Sequence, residues 1–367
     1  MYQEKKWIWE SKDFPHFIYE KINLERVHYK FGQLEMLGKF ISQDDAISLE
    51  LDRLLNEALS TSAIEGEVLQ RSSVRSSINK ILKLGLEDDY SYTRESDALV
   101  EVLLDAKTNK APLDKKRILL WHKALFGYGT SGLKEIKVGK FRDDLEPMQI
   151  VSGAWNREKI HYVAPPSQDV ERLMDDFFLW LNKSETNAIY KAIIAHLYFV
   201  LIHPFDDGNG RIARAVTDYL LAKTALTNAN FYSISTTIYR KRKEYYEVLD
   251  SVCRATNQDI TLWVEWFVLL LEESIDETLS KIESVQKKAK FWEKHRSTKL
   301  NERQKKVLLK MLDMLPNLFE GGMRVKKYMS ITKCSRITAS RDLSDLVQKG
   351  MMKSHGKGRS VYYSLLM

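Results

Sequence analysis

A histidine, a carboxylate, two glycines and two arginines fall within the twelve residues His203-Pro204-Phe205-Asp206-Asp207-Gly208-Asn209-Gly210-Arg211-Ile212-Ala213-Arg214. An apolar helical run precedes them and another follows, so the segment reads as a loop closing onto a helix N-terminus. Gly208 and Gly210 permit backbone conformations closed to other residues and leave main-chain N–H groups able to face an anion. The helix behind them adds its positive dipole end, which makes a phosphate cradle. Arg211 and Arg214, three residues apart, share a helical face and can fork onto one phosphate chain. Asp207 is an oxygen ligand of the kind Mg²⁺ accepts when phosphate oxygens and water supply the rest. His203 is the one group here able to take a proton near neutral pH. A histidine beside proline, or a Gly-Asn-Gly turn, is more often structural when met alone. Base, metal ligand, anion cradle and paired arginines together describe a phosphoryl- or nucleotidyl-transfer site. His196, seven residues before His203 on nearly the same face, reads as a packed histidine rather than a second base.

The elements that must position these groups are almost all helical. Ile47, Leu51, Leu54, Leu55, Ala58 and Leu59 recur at helical spacing, as do Val68, Val74, Ile78, Ile81 and Leu82, with Gly85 as the stop. Further helices are predicted over Tyr92–Lys107, Leu113–Leu125, Asp169–Leu181, Ala188–Ile202, Ile212–Leu221, Arg240–Cys253 and Leu262–Leu279, the last passing into a polar stretch from Lys281 to Lys299. One interior region reads as strand: Met148–Gly153 and Lys159–Val163 flank a polar turn, and Pro165-Pro166 ends the second piece. The fold class is therefore mainly α, with one β-hairpin in the body. The opening forty residues carry Trp7, Trp9, Phe14, Phe17 and Tyr19, aromatic side chains suited to packing on the helical body.

With 367 residues, 44% of them hydrophobic and 11% aromatic, the chain can bury two or three domain cores, which excludes global disorder and disulfide scaffolds. Its two cysteines, Cys253 and Cys334, have no metal-ligand spacing and fit a reducing compartment. No N-terminal apolar segment reads as a signal, and the run Ala192–Ile202 is too short to span a bilayer, so a cytoplasmic protein with no membrane partner is expected. The net charge of +7 is unevenly spread. From Ser297 to Met367 there are 15 Lys or Arg and five Asp or Glu, so the basic character belongs to the tail. The division expected is 1–90 as an N-terminal helical region, 91–290 as the catalytic body and 297–367 as a basic domain, with the boundary between the last two in Gln286–Lys299.

That tail reads as a winged helix-turn-helix: Leu300–Leu315, Val325–Ser330 and Arg336–Lys349 as helices, then a hairpin from Met351–Ser354 and Ser360–Leu365. Ser335 to Leu343 is similar to the recognition helices of bacterial winged-helix regulators. It would offer Arg336, Thr338, Ser340 and Arg341 to a DNA groove, with Lys357 and Arg359 reaching phosphates. Such domains also serve as protein-docking or dimerisation modules, which leaves a homodimer open.

The stretch His203–Arg214 resembles the signature of the Fic family, His-x-Phe-x-(Asp/Glu)-Gly-Asn-Gly-(Arg)-x-x-Arg, at every fixed position. The resemblance extends over Tyr92–Leu271, through Gly139-Lys140-Phe141-Arg142, the hairpin with Pro165-Pro166, and Trp263. It implies a helical bundle with a hairpin flap, and a protein adenylyltransferase that moves AMP from ATP to a Ser, Thr or Tyr hydroxyl of a target protein, the chain itself included. Carried onto this sequence, His203 is the catalytic base and Asp207 the Mg²⁺ ligand. Phe205, Gly208, Asn209, Gly210, Arg211 and Arg214 hold the nucleotide, and the flap aligns the target by strand addition. Thr61-Ser62-Ala63-Ile64-Glu65-Gly66 is similar to the inhibitory motif (Ser/Thr)-x-x-x-Glu-(Gly/Asn) of self-inhibited members. Glu65 would pair with Arg214, through both oxygens if geometry allows, and deny that cation to the γ-phosphate. Two rival readings stand beside this: a DNA-binding regulator whose Fic-like domain senses nucleotide, and a relative that transfers other phosphate groups or removes AMP. A complete set of His203, Asp207 and both arginines argues against the first, and intact Gly210 and Arg211 against a kinase-like branch.

Overall fold

Helices dominate because apolar residues recur every three or four positions. The computed structural model describes residues 7–83, 92–127, 129–131, 134–152, 159–223, 231–315 and 321–367. Among these the helices are α1 (Glu25–Lys39), α2 (Gln43–Ile64), α3 (Arg71–Ile81), α4 (Arg94–Thr108), α5 (Lys115–Leu125), α6 (Ser167–Lys183) and α7 (Ala188–Ile202). They continue as α8 (Asn209–Ala222), α9 (Ile234–Arg240), α10 (Arg242–Cys253), α11 (Thr261–Lys294), α12 (Glu302–Leu312), α13 (Val325–Thr332) and α14 (Arg336–Gln348). Six short strands form three antiparallel pairs: β1 (Thr130–Ser131) with β2 (Lys134–Glu135), β3 (Gln149–Ser152) with β4 (Lys159–Val163), and β5 (Met352–His355) with β6 (Tyr362–Leu365). The chain is mainly α, as its periodicity requires. The β1–β2 pair corrects the expectation of a single interior strand region, and the Gly85 stop lies outside the described residues. No described helix is long and apolar enough to cross a membrane.

The chain divides into two compact units: Met1–Met36 with Ala46–Asp276, and Leu37–Asp45 with Glu277–Met367. In the first, α7 is apolar around most of its surface, Lys191 and His196 excepted, and Ile193, Leu197, Leu201 and Ile202 have no solvent exposure. A helix of that kind stands only at the centre of a core, and α8 packs along it. Helices α2, α3 and α4 close a second cluster through Leu54, Ala58, Val74, Ile78 and Val100. Side-chain caps start the elements around the site: Thr93 on α4, Asp114 on α5 and Asn187 on α7 each accept a main-chain N–H from the first turn. Trp263 of α11 is buried and donates its indole N–H to Ile193 O at 2.9 Å.

The aromatic opening packs as expected. Phe14 and Phe17 set their ring edges on Tyr198, and Trp7 sets its ring on Tyr162 of β4. Trp9 donates to Val163 O at 2.6 Å, and the Tyr162 hydroxyl donates to Leu201 O at 2.7 Å. The β3–β4 hairpin is thereby held between the N-terminal segment and the end of α7. Its register slips between Ile150 and Val151: Ile150 faces Tyr162 while Val151 faces Ile160.

The second unit has its own core of Val307, Leu308, Leu343, Leu346, Met351 and Tyr328. Asn301 and Gln304 cap α12 reciprocally, Ser335 caps α14, and Lys333 supplies the left-handed residue between α13 and α14. Asp342 ties the helices together, accepting from Arg303 Nε at 2.8 Å, Tyr328 hydroxyl at 2.9 Å and Asn301 Nδ2 at 3.0 Å.

Candidate active site

His203 is the residue that ends α7. It takes a left-handed backbone, φ 51°, and its N–H still bonds Phe199 O at 3.0 Å. A buried arginine, with no carboxylate partner among the described residues, holds this bend. Arg142 Nε donates to His203 O at 2.8 Å, its Nη2 to Pro165 O at 2.6 Å and Ile202 O at 3.3 Å, and its main-chain N–H to Pro204 O at 2.9 Å. A fixed cation on the last carbonyls of a helix also complements its dipole. The imidazole's Nδ1 lies 3.3 Å from Val200 O. That bond assigns the proton to Nδ1 and the lone pair to Nε2, the state a general base needs. Burial pushes the His203 pKa down to about 4, against the small opposing pull of the Val200 carbonyl.

The loop after His203 is closed from within. Asn209, buried at the start of α8, accepts the Phe205 N–H at 2.9 Å and donates to Phe205 O at 2.8 Å. Phe205 is wholly buried, stacked on His122 at 4.0 Å and packed on Phe141. Phe205 and the Asn209 side chain, expected among the nucleotide's partners, brace the loop in this structure. Gly208 has φ 81°, and a Cβ there would meet Phe126 at 2.5 Å, so no other residue fits. Asp207 accepts the Ser131 hydroxyl and the Gly208 N–H and lies 3.6 Å from Arg211 Nη2. Behind the loop, His122 Nδ1 accepts the Gly139 N–H at 3.0 Å, and burial lowers its pKa to about 4.

Both arginines of α8 are buried, and both meet acids from one turn. Arg214 donates Nε to the Thr61 hydroxyl at 2.7 Å, and Nη2 to Thr61 O at 3.0 Å and Glu65 Oε1 at 2.7 Å. The contact with Glu65 uses one oxygen, with Thr61 taking the rest of the guanidinium, which corrects the expected fork. The Glu65 carboxylate sits directly over the first turn of α8, its Oε1 2.1 Å from where a Cβ on Gly210 would stand. Gly66 makes this possible. With φ 84° it ends α2 in a left-handed turn, its N–H bonding Ala63 O at 3.2 Å and the Glu67 N–H bonding Ser62 O at 3.0 Å. The same turn sends Glu67 to Arg211, whose Nη1 lies 2.9 Å and 2.7 Å from its two oxygens. Arg211 also lies over the Phe126 ring at 4.7 Å. Arg211 Nε and Nη2 and Arg214 Nη1 are buried donors without a hydrogen-bond acceptor among the described residues. Such donors at a helix N-terminus are what an anion with several oxygens satisfies.

A cavity of about 750 Å³ opens beside His203, Glu65 and Gly210, walled by β3, β4 and α10. Its size suits a nucleotide-sized ligand. His196 is packed away: the Thr217 hydroxyl donates to Ala213 O, so His196 Nδ1 donates to Thr217 and Tyr245 donates to Nε2, each at 3.0 Å. The tail residues lie in the other unit. Arg336, Arg341 and Lys357 are exposed, and Thr338 and Ser340 are half-buried, Thr338 bonding its cap Ser335. The Arg359 side chain lies outside the described residues.

Residue pattern alone did not single out Glu67, Arg142, Ser131 or His122 as parts of the site. An acid two residues past Glu65, across a glycine able to turn, is a signal for the first. Arg142 lay within Gly139–Arg142, without a role.

Residues 112–221 match the model of the Fic/DOC family, and residues 7–84 match a domain of unknown function, DUF4172. The protein adenylyltransferase Fic of Nematostella vectensis is 27% identical over 286 residues, covering 70% of this chain and 59% of that protein. Its namesake in Drosophila grimshawi is 27% identical over 218 residues, covering 58% and 40%. The chain thus spans between two fifths and three fifths of these relatives' length. A Fic family protein from Desulfovibrio desulfuricans G20 superposes with a TM-score of 0.54 at 18% identity, covering 95% of this chain and 98% of that one. A Fic domain containing signaling protein from Bacteroides thetaiotaomicron VPI-5482 gives 0.53 at 17%, covering 71% and 98%. These two likenesses establish the fold.

Proposed function

Because the chain is a Fic domain protein, we propose that it is a protein adenylyltransferase, moving AMP from ATP to a hydroxyl of a target protein, and that Glu65 restrains it. The observation that carries this reading is the N-terminus of α8. Gly210 and Glu65 line one cavity with the imidazole of His203, the unsatisfied Nη1 of buried Arg214 stands 3.1 Å from where a Cβ on Gly210 would be, and Arg211, three residues before Arg214, keeps two further unsatisfied donors.

In the forward reaction His203 Nε2 takes the proton of the target hydroxyl. That oxygen bonds to the α-phosphorus, the bond to the bridging oxygen breaks, and pyrophosphate leaves with the electron pair. Arg211 and Arg214 hold the outer phosphates, and the N–H groups of the α8 first turn face the phosphate oxygens. The chain supplies position and charge rather than covalent chemistry. Asp207 stands at the mouth of this cradle as a hard oxygen donor, and no group of three His, Cys, Asp or Glu gathers around it among the described residues. That donor set fits Mg²⁺, which Asp207 would hold and which would offset charge on the phosphates when bound. The hairpin β3–β4, anchored through Tyr162 and Trp9, offers its edge for a target strand to pair with.

The restraint is electrostatic. Glu65 takes a donor of Arg214 and places a carboxylate where the γ-phosphate would sit, and each 1.4 kcal/mol favouring this closed arrangement lowers activity about tenfold. Glu65→Gly is expected to raise incorporation of α-labelled ATP into lysate proteins, and His203→Ala in that background to abolish it. A Glu65→Gly chain no more active than the parent overturns the restraint; one that labels nothing overturns the activity.

A second reading concerns the other unit. Exposed Lys333, Arg336, Arg341, Lys353 and Lys357 gather on the α13–α14 turn, α14 and β5–β6, which supports a winged helix that docks on duplex DNA.

A further inference from the structure

Four hydroxyl-bearing side chains line the cavity beside His203, and they are not equivalent. Tyr162 is buried and donates to Leu201 O; Tyr245 is buried and donates to His196. Tyr246 donates to the main-chain carbonyl of Ile64 at 3.3 Å. Ser152, at the end of β3, is exposed, and its Oγ lies 2.6 Å from Nε2 of His161. Two of the four hydroxyls bind an imidazole nitrogen, which can accept a hydroxyl's proton: Tyr245 is buried together with its histidine, whereas Ser152 is exposed.

His161 is in turn set by its surroundings. The register slip in β3–β4 leaves it as the extra residue of β4, between Ile160 opposite Val151 and Tyr162 opposite Ile150. A bulge of that kind re-aims a side chain, and here it brings the imidazole to Ser152. The far nitrogen, Nδ1, lies 3.8 Å from Asp250 Oδ1 of α10. Hydroxyl and base are paired as weak oxygen nucleophiles are with the group that activates them, Asp250 stands nearby beyond hydrogen-bond reach of the imidazole, and all three line the cavity that holds His203 and Glu65.

We propose that Ser152 is a modification site, the chain's own acceptor for AMP; the inference rests on the adenylyl-transfer reading and names one substrate for it. Ser152 Oγ forms a bond to the α-phosphorus of ATP, and for this one acceptor the proton passes to the imidazole already bonded to it, His161 Nε2, in place of His203. The bond from that phosphorus to the bridging oxygen breaks, and pyrophosphate leaves with the electron pair. The product is AMP joined to the hairpin by a phosphodiester, on the strand where a target chain would align.

The test uses the full-length Glu65→Gly chain with α-labelled ATP, followed by proteolysis and mass spectrometry. Label is expected on the peptide containing Ser152. It should vanish there in Glu65→Gly/Ser152→Ala, persist in Glu65→Gly/Ser152→Thr, and form at least about tenfold more slowly in Glu65→Gly/His161→Gln, the loss of a positioned base. Label on Tyr246 or any other residue, or on lysate proteins, with Ser152 clean overturns this inference alone. A His161 variant that labels Ser152 at the parent rate also overturns it. No label on any protein overturns the transfer reading and this site with it. Ser152 is exposed, so an unchanged melting temperature in Ser152→Ala will separate loss of the hydroxyl from loss of fold.

Discussion

The carboxylate of Glu65 and the guanidinium of Arg214 meet at 2.7 Å, although 149 residues separate them in the chain. The arginine is almost wholly buried, whereas the glutamate is partly open to the cavity. A buried cation left without a partner is costly. On the proposed reading the site would hold an anion in either state: the protein's own carboxylate when closed, a phosphate when loaded.

The proposed restraint by Glu65 extends to Glu67. Glu67 binds Arg211 through both oxygens but is more exposed than Glu65, and pairs open to solvent contribute at most about 1 kcal/mol. Glu67→Gln is expected to raise AMP incorporation about two- to threefold, less than Glu65→Gly does, and to multiply with it in the double variant. Initial rates across an ATP titration measure this, and equal rates for Glu65→Gly with and without Glu67→Gln would leave Glu67 with no part in it.

Acid should weaken the first unit before it touches carboxylates. Burial lowers His122 and His203 to about 4 and His196 to about 3, from an ordinary 6.5. Below pH 6.5 the unfolded chain binds protons that the folded chain refuses, so stability falls as pH drops from 6.5 toward 4 and these groups leave it flat above 6.5. Melting temperatures from pH 7.5 to 4.5 should trace that fall, with a shallower slope in His196→Gln. The relieved enzyme should likewise keep its activity through pH 6, because His203 stays neutral there.

In the proposed reaction Arg142 would act through His203, whose carbonyl it binds. Arg142→Ala removes donors from the carbonyls of Ile202, His203 and Pro165, each an unsatisfied buried acceptor costing about 1–3 kcal/mol. In the Glu65→Gly background kcat is expected to fall at least about tenfold while KM for ATP moves little, since no arginine of α8 is disturbed. Arg142→Lys, which keeps charge without the fork, should be intermediate. A change confined to KM would place Arg142 with the nucleotide instead.

The basic tail predicts a steep salt dependence. If the exposed Arg336, Arg341 and Lys357 contact phosphates, duplex affinity should fall by orders of magnitude between about 50 and 200 mM salt. Arg336→Ala/Arg341→Ala should flatten that slope by about two units of log affinity per log salt, measured by fluorescence anisotropy. No binding at the lowest salt would assign this unit to protein contacts.

The loop between α7 and α8 was legible because its chemistry is local. An all-apolar helix, a histidine, two glycines and two arginines sit in one unbroken stretch, and caps such as Asp114 and Asn187 mark the neighbouring helices. Glu65 was legible as a short pattern. Glu67 was not, because its partner lies 144 residues away and the meeting depends on the left-handed turn at Gly66. Side-chain direction was equally hidden: periodicity cannot say that Phe205 turns into the core or that Asn209 reaches back to it. Helix α1 mixes charged and apolar residues too evenly for a clear face, and strands of two residues such as β1 and β2 are too short to show a period. The run past Lys281 stays helical in α11 with few buried positions, aided by pairs such as Glu283 with Lys287 at 3.6 Å.

The carbonyl of Ser62 accepts the N–H of both Glu65 and Glu67, and that of Ala63 the N–H of Gly66, so a single turn carries both acids of the proposed restraint. Unwinding the last coil of α2 would therefore free both guanidinium groups in a single event rather than one after the other. A partner, a cleavage or a crowding nucleotide that achieves this meets one threshold, and a population of such molecules will divide into silent and fully active members, with few in between.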